Sequence, residues 1–122
     1  MEMNTDPIIG LKAVQTSRLR DGFNQAPLNG HTTTTGIKMD ARREDIDNLT
    51  RLRDRLLETG TTSTTTTIRD YDNQFHTVTI AELSEIIGEL VDFGLGLYAR
   101  KWELEQVLAA ATTEEEVLAT VW

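Results

Sequence analysis

The stretch TIAELSEIIGELVDFGLGLYARKWELEQVLAAATTEEEVLATVW, residues 79–122, decides the fold. Apolar or seam positions recur in it at alternating steps of three and four: Ile80, Leu83, Ile87, Leu90, Gly94, Leu97, Lys101, Leu104, Leu108 and Ala111. That is the period of a helix that keeps one line of side chains against another helix. Thr79-Ile80-Ala81-Glu82 has capping-box spacing, in which the hydroxyl and the carboxylate each accept from an otherwise unpaired backbone donor. Thr113 to Glu116 repeats the spacing, with three acidic residues suited to the positive end of a helix dipole. The sequence therefore predicts a long helix over 80–111 and a short one over 114–120. The seam requires a partner, which makes Ile80, Leu83, Ile87, Leu90, Gly94, Leu97, Leu104 and Leu108 the candidate interface. Either other copies cover it, or the chain's own earlier helices fold back on it.

Upstream, Asp6-Pro7 is a helix start: the carboxylate can cap, and proline suits the first position, where no donor is missed. A helix over 7–21 follows, with Ile8, Leu11, Val14 and Leu19 as its sparse apolar set and Gly22 as its stop. Asn29-Gly30 tolerates positive φ at both central positions of a tight turn, so a small hairpin is expected over about 23–39. Asp40 is placed to cap a second helix over 41–59, with Met39 packed on its first turn and Ile46, Leu49, Leu52 and Leu56 as its stripe. Gly60 ends it. Residues 61–67 are all threonine and serine; β-branched residues leading into Ile68, then Asp72-Asn73, predict a second hairpin over about 64–79, its first threonines flexible. The fold class is α+β, mostly helical, with about four helices and two small hairpins.

A chain of 122 residues suits a single small domain, 1–122, with one modest core and a flexible start at 1–6. A net charge of −8 argues against nucleic acid and anionic membrane as partners, since both need clustered cations. Arg42, Arg43, Arg51, Arg53 and Arg55 alternate with Glu44, Asp45, Asp47 and Asp54, which reads as a solvated, ion-paired face. There is no cysteine, hence no disulfide or thiolate site. No apolar run reaches the roughly 20 residues that span a bilayer, and residues 1–5 lack the pattern of a secretory signal, so a soluble product is expected.

Catalytic, cofactor and metal residues are not apparent. His31 and His76 stand alone in separate turns, without a second ligand at metal spacing. Gly88, Gly94 and Gly96 lie within a helical pattern and read as points of close helix approach, not as a phosphate loop. Glu82 with Glu85, and Glu103 with Glu105, fall on charged helical stretches, and Asp92, between Val91 and Phe93, reads as solvated too. Ser17, Ser63 and Ser84 have no histidine nearby in sequence. Phe93, Tyr98, Trp102 and Trp122 read as core, with Val121 and Trp122 packed against Leu104 or Leu108.

The segments NGHT at 29–32, DNQFHTVTIAEL at 72–83 and LYARKWELEQVLAAATTEEEVLATVW at 97–122 resemble an uncharacterised domain family of bacteriophage and prophage proteins, commonly found at the C-terminal end of tail-fibre and tail-associated proteins. The resemblance covers about 11–122 and is most specific over 98–122; the threonine tracts at 32–35 and 61–67 depart from it. It implies a non-enzymatic tail component, associated with fibre or baseplate, assembled in the host cytoplasm and carried in the virion tail. Its partners would be phage tail proteins and further copies of the chain, a trimer by analogy with three-fold fibres. A tail-fibre assembly chaperone is the alternative, and a small phage enzyme or regulator a lower one.

Overall fold

A computed structural model of the chain describes residues 7–122. The expected cap at Asp6, the absent signal at 1–5 and the flexible start at 1–6 lie outside the described residues. The elements are α1 (Pro7–Gln25), a 3-10 turn (Ala26–Asn29), β1 (His31–Thr32), β2 (Lys38–Met39), α2 (Arg43–Thr59), β3 (Thr65–Arg69), β4 (Phe75–Thr79), α3 (Ile80–Ala110) and α4 (Glu114–Ala119). This is the predicted α+β, mostly helical class. The chain forms two compact units, Met1–Gln25 with Gly96–Trp122, and Ala26–Leu95. Each has its own hydrophobic cluster where one core was expected.

In the unit Ala26–Leu95, Met39, Ala41, Ile68, Val78, Leu83, Ile86, Ile87 and Leu90 form the buried cluster, and Ile46, Leu49, Leu52 and Phe93 pack on it. Leu83 and Leu90 have no exposed surface, and burying each contributes about 2 kcal/mol. The hairpin β3–β4 is antiparallel, with Thr66↔Val78 and Ile68↔His76 on the inner face and Thr65↔Thr79, Thr67↔Thr77 and Arg69↔Phe75 on the outer. Strand alternation thus turns most of the threonine tract toward solvent while Ile68 and Val78 are buried. Residues 61–64 form a turn, in which Thr64 N donates to Thr61 O at 3.0 Å and Thr61 N to Thr64 Oγ1 at 3.0 Å.

In the unit that joins α1 to 96–122, Leu19, Leu108, Ala111 and Val117 are buried, with Ile8, Leu11, Leu104 and Trp122 packed around them. Gln15 is also buried: its Nε2 donates to Thr120 O at 2.8 Å, and its Oε1 accepts from Arg18 at 3.2 Å. Val14, expected inside, is half exposed.

Four sequence expectations need correction. First, α1 does not stop at Gly22 but runs to Gln25, just before Pro27. Second, Asn29-Gly30 is not the hairpin turn. Gly30, at φ +72°, closes the 3-10 turn, and β1–β2 reverses later, where Thr33 N donates to Ile37 O at 2.9 Å and Gly36 adopts φ +88°. Third, Asp40 does not cap α2, which begins at Arg43 after Arg42. Arginine has no acceptor, so only half a capping box forms: the Asp45 carboxylate accepts from the Arg42 backbone N–H at 3.1 Å. Fourth, a Cβ built on Gly88, Gly94 or Gly96 meets nothing within 4 Å, so none of them marks a close helix approach.

Both predicted Thr-led starts are present. Thr79 Oγ1 accepts from Glu82 N at 3.1 Å while Glu82 Oε1 accepts from Thr79 N at 3.0 Å, the full reciprocal box. At α4, Thr113 Oγ1 accepts from Glu116 N at 3.2 Å, but the Glu116 carboxylate reaches one residue further back, to Thr112 N at 2.8 Å.

Candidate interaction surface

The candidate interface residues have two fates. Ile80, Leu83, Ile87 and Leu90 are buried in the cluster of their own unit, Leu108 is buried in the other, and Leu104 packs against it. Side chains already covered within one chain offer no surface to a second copy. Gly94 and Leu97 are only partly exposed.

A second line of residues on α3 is exposed instead. Ser84, Gly88, Val91, Leu95, Tyr98, Trp102, Glu105 and Ala109 repeat the same alternation of four and three, each one residue after a seam position; Ser84 is only partly exposed, and the Ala109 main-chain oxygen accepts from Lys12 Nζ at 2.9 Å. One residue is about 100° round a helix, so this line lies to the side of the buried seam. Leu95 is 62% exposed, Trp102 58%, and Val91 and Tyr98 42% each. The expectation that Tyr98 and Trp102 are core is therefore overturned. The signal for this line was present in the sequence as the one-residue shift, but the buried seam has the larger aliphatic residues and masks it.

Around the C-terminal half of α3, aromatic rings form a chain. Trp102 lies 5.6 Å from Tyr98, Tyr98 4.8 Å from Phe23, and Phe23 6.0 Å from Trp122. Arg100 sits over the Trp122 ring at 4.7 Å and donates to its main-chain oxygen, and Lys101 sits over Phe23 at 4.8 Å. Both cations lie on aromatic faces, where the ring quadrupole attracts them. Trp122 is packed as expected; Val121 is not, with most of its side chain in solvent.

The polar candidates are structural or solvated. His76 Nε2 donates to Asp70 Oδ2 at 2.7 Å, and Asp70 Oδ1 accepts from Asp72 N and Gln74 N at 2.9 Å each. The His76 hydrogen bond, followed by the Gln74 amide, holds the Asp70 carboxyl below the usual carboxylate range. This group locks the β3–β4 turn, where Asn73 takes φ 64°. His31 stacks on Phe93 with centroids 4.5 Å apart. Glu82 serves as a cap, and Glu85, Asp92, Glu103 and Glu105 are exposed, as are Ser17 and Ser63; Ser84 is partly so. Along α2, Arg42 pairs with Glu44 and Asp45, Arg53 with Asp54, and Arg55 with Glu58, the ion-paired face expected there. Among the described residues no group of three or more His, Cys, Asp or Glu is placed to hold a metal ion, and no helix is long and apolar enough to cross a membrane.

The elements define a mostly helical α+β module whose longest helix exposes Val91 and Leu95 in one unit and Tyr98 and Trp102 in the other. The chain belongs to the family described as Domain of unknown function (DUF4376), which it matches over residues 8–121. No curated protein and no solved structure matches it.

Proposed function

We propose that the protein is a non-enzymatic assembly component that binds a partner protein through exposed aromatic side chains of α3. The observation that carries this reading is the pair Tyr98 and Trp102 in the unit that holds 96–122: two aromatic side chains on one helix face, 5.6 Å apart, and 42% and 58% exposed. Exposed apolar surface of this kind marks interaction sites, and aromatic residues are the side chains enriched at interface centres. The setting we propose is a bacteriophage tail, at the fibre or baseplate, and it rests on the resemblance over about 11–122, most specific at 98–122. Further copies of the chain, a trimer by the fibre analogy, remain part of this proposal on that analogy alone, since most of the seam that suggested an oligomer is buried within the chain.

Quantitative mass spectrometry of purified particles, with cross-links mapped to 98–102, tests both parts. Stoichiometric copies cross-linked through this segment to a tail protein are expected. Abundance in tail-assembly intermediates with absence from finished particles would make the protein a chaperone. Absence from both overturns the tail setting, and cross-links confined to the hairpins overturn the α3 surface.

A further inference from the structure

We infer that the outer edge of β3 is a second interaction site, which takes an extended segment of another protein as a third strand with a carboxylate side chain opposite Arg69. It lies wholly within the unit Ala26–Leu95 and stands or falls independently of Tyr98 and Trp102. The hydrogen-bond parity of the hairpin carries it. Asp70 N donates to Gln74 O and Ile80 N to Thr64 O, so in this register Thr64, Thr66, Ile68 and Asp70 turn their main-chain groups toward β4. Thr65, Thr67 and Arg69, at the alternate positions, turn theirs away from it. Two bonds agree with that parity. Tyr71 N, at the next alternate position, donates outward to Lys38 O at 2.8 Å, and on the other strand Thr79 N donates outward to Glu82 Oε1 at 3.0 Å. The edge of β4 is thereby shortened to Phe75 and Thr77, whereas that of β3 keeps three residues. Beyond the β3–β4 pairing, none of the three has a hydrogen-bond partner among the described residues.

Donor and acceptor pairs repeating about every 7 Å fit the backbone of an extended strand, the mode in which a peptide adds to a sheet edge. Edges are commonly blunted by lysine, proline or a bulge; β3 has neither residue, and its register with β4 is unbroken. A second copy does not fit. Paired antiparallel about Thr67, it would bring its own Ser63 opposite Tyr71, where Lys38 already sits; paired parallel, its chain beyond Arg69 would arrive at the same place. A free segment no longer than β3, five residues, leaves the edge before Tyr71. Charge sets the side chain opposite Arg69. Arg69 is exposed and forms no ion pair among the described residues, and an opposite charge directly across a strand pair is stabilising. The net charge of −8 favours a basic segment, so a preference for an acidic one is specific to this position.

The test uses the full chain and two end-capped peptides of about five residues, built of valine and threonine with either glutamate or lysine at the position that pairs with Arg69. Binding is followed by nuclear magnetic resonance of the backbone amides and their hydrogen exchange, with chain mass measured by light scattering. The glutamate peptide is expected to bind about threefold more tightly than the lysine peptide. It should slow exchange at Thr65, Thr67 and Arg69, while Thr66 and Ile68, already bonded to β4, change little. N-methylation of the peptide amides that face the edge should remove binding, and N-methylation of the alternate amides should spare it. Thr67→Pro deletes the central donor at an edge position, where proline is tolerated, and should cost about tenfold or more in affinity. Arg69→Glu should reverse the preference between the peptides. The N-methylated peptides leave the chain unaltered, so they decide the matter if Thr67→Pro lowers Tm. No binding of either peptide at about 1 mM, protection at Phe75 and Thr77 in place of Thr65 and Thr67, or equal loss from both N-methylation patterns overturns the β3 edge. Equal affinity of the two peptides, or an unreversed preference in Arg69→Glu, overturns the acidic partner. Self-association of the chain that Thr67→Pro abolishes would put a second copy on the edge and overturn the inference. Cross-links through 98–102 without peptide binding would leave the assembly reading standing and remove this one; peptide binding without those cross-links would do the reverse.

Discussion

Gly22 illustrates how a single residue can be misread when its neighbour is distant in sequence. Glycine after a helical run predicts a stop, yet α1 continues through it. A Cβ built there would lie 2.5 Å from both Cβ and Cγ of Trp122, the root of that side chain and not a movable tip. Glycine is present because the indole packs where a methyl would be. Alanine normally stabilises a helix interior by up to about 1 kcal/mol over glycine; here Gly22→Ala is expected to cost about 1–3 kcal/mol, because Trp122 must shift from its place beside Leu19 and Leu108. Urea denaturation measures it, and a raised midpoint would show that the packing yields freely. Asp70 gives a pH-dependent counterpart. Its folded pKa lies below its unfolded value, so its charge stabilises the fold at neutral pH, and that contribution is lost as pH falls below about 4 and through the folded pKa. Asp70→Asn should lower Tm at pH 6–8, and the difference from wild type should close in acid. A difference that persists unchanged at low pH would assign the effect to side-chain geometry instead of charge.

Elements whose signals are local were legible, and those that depend on contacts were not. Thr79 with Glu82, and Thr113 with Glu116, satisfy neighbouring backbone donors, so four residues suffice to place the starts of α3 and α4. The second hairpin was legible for the same reason, with its turn at Asp72-Asn73. The first was displaced because Gly30 meets two demands at once: positive φ, and room for Tyr71, whose Cδ2 would lie 2.7 Å from an added Cβ. Asn-Gly reports the first demand and is silent on which turn makes it. The glycines of α3 fail in the opposite sense, since they suggest packing and have none. Without a neighbour within 4 Å, Gly94→Ala and Gly96→Ala each remove the glycine penalty without a clash, and each should stabilise the chain by about 0.5–1 kcal/mol. Chemical denaturation reads this directly, and destabilisation by either would reveal a contact at that position.

At the scale of the whole molecule, the acidic charge, the lack of cysteine and the helix-rich class were legible from composition and period, but the direction in which α3 faces was not. A three-four alternation specifies that a face exists, not what covers it. Two such lines, one residue apart, compete on α3. The aliphatic line of Leu83, Ile87 and Leu90 is buried within the chain, while the line holding Leu95, Tyr98 and Trp102 remains solvated. The candidate site was missed because its aromatics were assigned to the core that a small domain needs, and here the core is supplied as two separate clusters by other residues. Paired truncations separate the two faces. Leu83→Ala removes a side chain with no exposed surface and should cost about 2–5 kcal/mol through lost burial and the cavity left behind. Leu95→Ala changes a side chain that is 62% exposed and should stay within about 0.5 kcal/mol of wild type. Both are leucines on one helix, so propensity cancels and only the covering differs. Urea midpoints in the reverse order would mean that α3 is turned round on its axis, with the aromatic line inside and the aliphatic seam available to a partner.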